Sequence, residues 1–237
     1  MGLKTYRRKR DFRVTPEPKG RTGSARKRAL RYVIQKHDAS RLHYDFRLEL
    51  EGTLKSWAVP RGPSLDPAKK SLAVQVEDHP LDYGDFEGVI PKGQYGGGTV
   101  LLWDRGTWEP VNEPISGYRS GKLHVVLKGR KLRGEWALVR MHGTAGEKGK
   151  NWLLMKGRDR FADPGRNILE EAPKSVKSGR TLERIGEDPN DVWSPHAWET
   201  EKLDHAKRSA MPTRLSPQLA VLADHPPKGE EWLHEVK

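Results

Sequence analysis

The sequence predicts a mainly all-β chain: a single closed or strongly curved antiparallel β-barrel of about eight strands, with short helices and an extended basic N-terminal arm. Three observations carry that reading. Between residues 30 and 160 the apolar side chains recur in short runs with a period of two, bounded by Gly and Pro turn signals. The same region shows no long run with the 3.6-residue period of an amphipathic helix. Ahead of it, residues 1–31 place twelve Lys and Arg against two carboxylates, Asp11 and Glu17, leaving 32 basic and 30 acidic residues elsewhere.

Residues 1–29 are rich in Gly, Pro and charge, lack apolar periodicity and read as the arm. Strands are then expected over 31–36, 41–50, 55–59, 71–77, 98–110, 122–128, 131–142 and 151–156. They are separated by Glu51-Gly52, Pro60-Arg61-Gly62-Pro63, Gly96-Gly97-Gly98 and Lys128-Gly129-Arg130. Trp57, Trp103, Trp108, Trp136 and Trp152 fall inside these strands and are expected to fill the barrel rather than stack on bases. The Gly-rich stretch from Ile90 to Thr99 lacks the Gly-Lys-Ser/Thr ending of a P-loop and reads as a hairpin connection. Past Phe161 the pattern dissolves. Residues 161–212 read as an extension and linker, with a short helix near 181–185, an anchor at Trp193-Ser194-Pro195 and the linker proper over 201–212. Residues 213–237 have a different, more apolar character and end on Trp232-Leu233-His234-Glu235-Val236-Lys237, as if a larger protein continued there.

Composition narrows the chemistry. There is no cysteine, so any metal must sit on imidazole and carboxylate groups, and disulfides are excluded. No apolar run approaches a membrane span and no secretory signal opens the chain, which points to the cytoplasm. The density of cations in the arm fits a polyanion, with nucleic acid as the first choice.

The stretch from His37 to Leu50 carries most of the functional signal. Side chains alternate across a strand, so Leu42, Tyr44, Phe46, Leu48 and Leu50 share one face and His43, Asp45, Arg47 and Glu49 the other. Taken alone, such a polar face is usually a solvated strand surface. His37, expected in the turn just upstream, adds a second imidazole, and two His with one carboxylate form a common ligand set for Mn, Fe or Zn. The barrel then fills with the apolar face, while the His43 face lines a concave groove or mouth. A second stretch, Glu77-Asp78-His79, falls at a strand end, where His79 either coordinates the metal or donates to a phosphate oxygen. A cation beside Arg47 and His79 suits attack on phosphorus, because both stabilise charge that develops on the phosphoryl oxygens.

The runs His37-Asp38-Ala39-Ser40-Arg41-Leu42-His43-Tyr44-Asp45-Phe46-Arg47, Ser56-Trp57-Ala58-Val59-Pro60-Arg61-Gly62-Pro63 and Glu77-Asp78-His79-Pro80-Leu81-Asp82-Tyr83-Gly84 resemble the 3′-phosphoesterase domain of bacterial DNA ligase D. The resemblance spans roughly residues 5 to 160. It implies a Mn²⁺-dependent enzyme, other divalent transition metals also serving, that heals 3′ ends in bacterial non-homologous end joining. Such an enzyme removes a terminal ribonucleoside and hydrolyses the 3′-phosphate left behind. On matching positions it makes His37, His43 and Asp45 the metal ligands, sets Arg47 and His79 on the phosphate, and brings Tyr83 close by. It also assigns contributions to substrate or site to Arg10, Asp11, Glu17, Gln35, Arg61 and Glu77; where Arg61 stands, some relatives carry Lys. The partners implied are DNA primer-template 3′ ends, including ribonucleotide-terminated ones, the ligase and polymerase domains of a parent protein, and the Ku end-binding protein, in the nucleoid-containing cytoplasm of a bacterium. Residues 215–237 are similar to the opening of an ATP-dependent ligase adenylation domain and stop on the lysine that accepts the adenylate there, so Lys237 has no nucleophilic role without the remaining pocket. Two readings compete with this: a non-catalytic DNA-binding module that positions a ligase, resting on the arm alone, and a two-His-one-carboxylate oxygenase. Arg47 and the arm suit a phosphate ester better than the oxygenase.

Overall fold

Eight strands of the chain close into a ring. In the computed structural model, which describes residues 3–20, 29–141 and 149–187, these are β1 (Leu30–Asp38), β2 (Leu42–Leu50), β3 (Thr53–Val59), β4 (Ser71–Gln75), β6 (Gly98–Pro110), β7 (Lys122–Gly129), β8 (Arg133–Arg140) and β9 (Asn151–Lys156). Their order around the barrel is β1-β2-β3-β4-β9-β8-β7-β6 and back to β1, every pairing antiparallel. A short strand the sequence reading did not anticipate, β5 (Gly88–Ile90), pairs with β6 outside the ring. The residues described all fall in one unit, Met1–Trp198. The Trp193-Ser194-Pro195 anchor, the linker over 201–212 and the ligase-like piece over 213–237 with Lys237 lie outside the described residues.

Local chemistry sets the register. Glu51 and Gly52 link β2 to β3 with φ of +52° and +74°, the pair of left-handed residues that a two-residue type I′ hairpin needs. At Gly98, with φ of +147°, an added Cβ would lie 2.0 Å from the carbonyl oxygen of Asp38, so only glycine lets β6 start against the end of β1. All eight ring strands send apolar side chains inward, among them Tyr44, Phe46, Leu101, Val125 and Leu154. The five strand tryptophans join them, each no more than 1% exposed. Opposite Ile34 and Gln35 the register skips Trp103, and this bulge turns Asp104 into the ring, where it accepts from the Tyr32 hydroxyl and from the backbone N–H groups of Arg130, Lys131 and Leu132.

Because the interior is filled, the polar face of β2 points outward, and of the expected groove or mouth it is a groove that forms: the His43 face lies on the outside of the ring. It is buried there by a second apolar cluster of Tyr6, Val33, Leu54, Leu81, Tyr83, Phe86, Ile90, Val100 and Leu102. The cover comes from a 3₁₀ turn (Leu81–Asp85), from β5 and from the N-terminal residues.

Those N-terminal residues also differ from the expected extended arm. Residues 3–20 contain a short helix, α1 (Lys4–Arg8), and are anchored by Tyr6, fully buried with its hydroxyl donating to the carbonyl of Pro18 at 2.7 Å. One aromatic and two buried polar side chains, Thr15 and Glu17, do what a periodic apolar face does elsewhere, so no periodicity was there to be read. Short helices complete the structure: α2 (Pro114–Ser120), capped by the Glu113 carboxylate, then α3 (Ile168–Glu171) and α4 (Leu182–Glu187), which bring Ile168, Leu182 and Ile185 into the core cluster. Replacing Tyr6 by Ala is expected to cost about 3 kcal/mol and to free residues 3–20 for proteolysis. An unchanged melting temperature and cleavage pattern would contradict this anchoring.

Candidate active site

The antiparallel register of β1 and β2 sets His37 directly across from His43, Gln35 across from Asp45 and Val33 across from Arg47. His37 is thus the penultimate residue of β1 rather than part of a preceding turn. On β2 the outward alternation His43, Asp45, Arg47 runs beside Ala58 and Ser56 of β3. Two strands therefore bring together what sequence spacing alone left apart.

The three candidate ligands converge: one donor atom each from His37, His43 and Asp45 lies within 4.8 Å of the others. Asp45 Oδ2 is 3.6 Å from His37 Nδ1 and 3.8 Å from His43 Nε2. The opposite ring nitrogens are both tied to backbone carbonyls, His37 Nε2 to Gly96 at 2.8 Å and His43 Nδ1 to Arg41 at 2.8 Å. A carbonyl only accepts, so those nitrogens carry protons, and the other nitrogen of each ring, His37 Nδ1 and His43 Nε2, faces Asp45. That is the orientation in which an outer partner holds a ligating imidazole. The donor set fits a divalent transition ion.

Arg47 lies beneath, 2% exposed. Its Nε donates to Gln35 Oε1 at 2.8 Å, one terminal nitrogen donates to Ser56 Oγ at 2.8 Å and approaches His79 Nδ1 at 2.9 Å, and the other pairs with Asp45 Oδ2 at 3.1 Å. Of five N–H groups, one on the nitrogen beside Asp45 keeps no partner among the described residues. Burial alone would raise the Asp45 carboxyl pKa, but the charge of Arg47 and the neighbouring imidazoles outweigh it and hold it below the usual carboxylate range.

His79 packs between two guanidinium groups, with Arg10 3.3 Å from Nε2 and the Glu77 carbonyl 2.9 Å from Nδ1. Burial pushes its pKa well below that of ordinary histidine, and the charges of Arg47 and Arg10 push it the same way. The ring is neutral near pH 7. Unfolding restores an ordinary histidine with a value of 6.5, so the unfolded chain binds the proton that folded His79 refuses, and stability is lost as pH falls below that value. Melting temperatures of the ligand-free chain between pH 7 and 5 should therefore drop less steeply in His79→Gln than in the unaltered protein; equal slopes would refute the assignment.

Tyr83 stacks against this pair, its ring centroid 4.7 Å from that of His79 and 4.9 Å from the Arg47 guanidinium. Burial keeps its phenol protonated. Gln35, fully buried, donates to the carbonyls of Tyr83 and Phe86 at 3.0 and 2.9 Å, so it positions Arg47 and the turn and does not face the pocket. The N-terminal residues close one side. Arg10 binds Glu17 at 2.8 Å and Glu77 at 3.2 Å, and Glu77 also holds Lys9 at 3.1 Å. Asp11 instead pairs with Arg13 at the surface, and Arg61, exposed in the connection after β3, lines a different hollow. The pocket itself encloses about 150 Å³, with Arg10, Arg47, His79, the three candidate ligands and Tyr95 among its walls.

Sequence reasoning did not single out Tyr6, whose ring lies edge-on to His79 at 5.0 Å, nor Lys9, Ser56, Tyr95 and the Gly96 carbonyl. Ser56 alone left a signal, as the polar residue at an alternating position of a strand; the others meet the site across long sequence separations.

Residues 35–140 match the family described as DNA ligase D 3′-phosphoesterase domain. The chain is 52% identical over 99% of its length to the multifunctional non-homologous end joining protein LigD of Pseudomonas aeruginosa. It is 44% identical over 60% of its length to the corresponding DNA repair protein LigD of Mycobacterium tuberculosis, and 41% over 66% to that of Mycolicibacterium smegmatis. It spans only 28%, 18% and 21% of those proteins.

Proposed function

The chain belongs, through residues 35–140, to the DNA ligase D 3′-phosphoesterase domain family, and on that premise we propose that it is a metal-dependent enzyme that heals DNA 3′ ends in non-homologous end joining. The observation that carries the proposal is the pairing of two oriented imidazoles and a carboxylate with a buried guanidinium that keeps one N–H for an anion. His37, His43 and Asp45 would hold Mn²⁺ or a similar ion, which supplies Lewis-acid polarisation of a phosphoryl oxygen when bound.

The protein groups do the rest. Arg47, locked by Gln35, Ser56 and Asp45, presents its remaining N–H to an equatorial phosphoryl oxygen as charge accumulates there. His79, neutral between Arg10 and Arg47, stands in the pocket wall beside both cations and adds no charge to the ground state. Arg10 supplies a second cation, aimed by Glu17 and Glu77. Tyr83 and Tyr95 wall the pocket, and Tyr6 packs against His79 and Tyr83. Such a site acts on a 3′-phosphate and on the phosphodiester before a terminal ribonucleoside. The ligase and polymerase domains of a longer protein, Ku and DNA ends are the partners this role calls for, in the cytoplasm of a bacterium. No helix among the described residues is long and apolar enough to cross a membrane.

The test is release of inorganic phosphate from a 3′-phosphate primer-template with Mn²⁺, and shortening of a ribonucleotide-terminated primer. Chelation should stop both. Absence of phosphate release with any divalent transition ion would end the proposal.

A further inference from the structure

Antiparallel neighbours place the ends of β1, β3, β7 and β9 and the starts of β2, β4 and β8 at one end of the barrel, the end that carries His37 and His43. The connections that emerge there include β1 to β2, β3 to β4, β7 to β8, and the chain after β9. Between the β3–β4 connection and the chain after β9 lies a hollow of about 690 Å³, lined by Arg61, Lys69, Lys70 and Arg166 and by no carboxylate. Arg166 is also a wall of a neighbouring hollow of about 460 Å³ that continues to Arg130 and Arg133 and holds one carboxylate, Asp163. The cations therefore form one band across the barrel end. Its near edge, Arg61, follows Ala58 of the metal pocket by three residues, within about 10 Å along an extended chain.

In this band Arg130 and Arg133 donate to the carbonyls of Val176 and Gly129, while the other four cations make no such bond among the described residues. Arg61, Lys69 and Lys70 are exposed and have no ion-pair partner among the described residues, and Arg166 meets only Glu171, itself half exposed. The walls offer Pro, Gly and Ser rather than aromatic platforms in the larger hollow, which suits contact with a charged backbone and not with bases. We infer that this band is the track on which the phosphate backbone of the DNA lies while its 3′ end enters the pocket at His37, His43 and Asp45. The inference rests on the reading that the substrate is a DNA end, and adds where the rest of the strand runs. It also revises the charge picture, because a body with nearly balanced charge carries a local concentration of cations separate from the N-terminal residues.

The experiment is equilibrium binding of a fluorescent primer-template to the full chain across a salt series. Each phosphate contact contributes about 0.9 to the slope of log affinity against log salt, so Lys69→Ala with Lys70→Ala should reduce the slope by about 2 and weaken binding. Lys122→Ala with Lys150→Ala removes the same charge at the opposite end of the barrel and should leave the slope near that of the unaltered chain. An unchanged slope in the first pair, an equal loss in the second, or no salt-dependent binding by the unaltered chain overturns the inference. Phosphate release is measured separately: its absence with the slopes as expected would refute the enzymatic reading and keep the track, whereas turnover with unaltered slopes would refute the track alone.

Discussion

Replacing Asp45 by Ala is expected to abolish divalent-metal binding and reduce phosphate release at least about a thousandfold, the scale set by losing several kcal/mol of Lewis-acid assistance. Asp45 Oδ2 is the atom that His37, His43 and Arg47 all face, and it is the only anionic donor of the three candidate ligands. Without it two imidazoles remain next to a guanidinium with no anionic donor, an arrangement that disfavours a cation. Stability should change less, since Arg47 keeps its bonds to Gln35 and Ser56. Asp45→Asn preserves shape and removes only charge, so it separates ligation from packing. Titration calorimetry with Mn²⁺ and a phosphate-release assay read both variants; Mn²⁺ binding by Asp45→Ala at unaltered affinity would remove this carboxylate from the centre.

Arg47→Ala should give a different signature: Mn²⁺ binding retained, with turnover lowered about a hundredfold, as expected for losing one donor worth about 3 kcal/mol in the transition state. The sign on metal binding follows from Asp45. Removing the guanidinium lets the carboxyl pKa rise toward its ordinary value of 3.8, which still leaves it ionised at pH 7. The variant also strands Gln35 Oε1 in a buried setting, a cost of about 1–3 kcal/mol in stability. Arg47→Lys keeps the charge but not the fork that reaches Gln35, Ser56 and Asp45 together, and should fall between. Loss of Mn²⁺ affinity along with turnover would defeat the separation of ligand from phosphate donor.

A distinction that looks simple from sequence changes with the fold. Deleting residues 1–29 seems to separate a basic tethering arm from a catalytic body, but the deletion also removes Arg10 and Glu17, and with them the cation beside His79. Loss of turnover in that truncation would not identify a mere DNA-binding module. Point changes at exposed Lys and Arg are the cleaner comparison.

Much of the fold was legible because barrel strands leave a strong period. The eight ring strands match eight alternating runs, and the five strand tryptophans fill the interior as their positions imply. What escaped were short pieces with little periodic content: the three-residue β5, the seven-residue α2 with its Glu113 cap, and the packed N-terminal residues held by Tyr6. A segment of that length is stabilised by what covers it, and the cover is distant in sequence.

By itself, then, the sequence determined the all-β architecture, the shared face of His43, Asp45 and Arg47, the cysteine-free donor set and the family. These depend on residue type and on spacing within one strand. Tertiary structure alone decided that this face lies outside a filled barrel, that His37 sits across from His43, that Gln35 supports Arg47 from below, and that Arg10 reaches His79 from 69 residues away. It also decided that scattered cations from three connections meet at the end of the barrel where the site stands. The reason is closure of the ring: alternation says which side chains share a face, but only the pairing of strands, and what is left to cover their outer side, says which faces become one site.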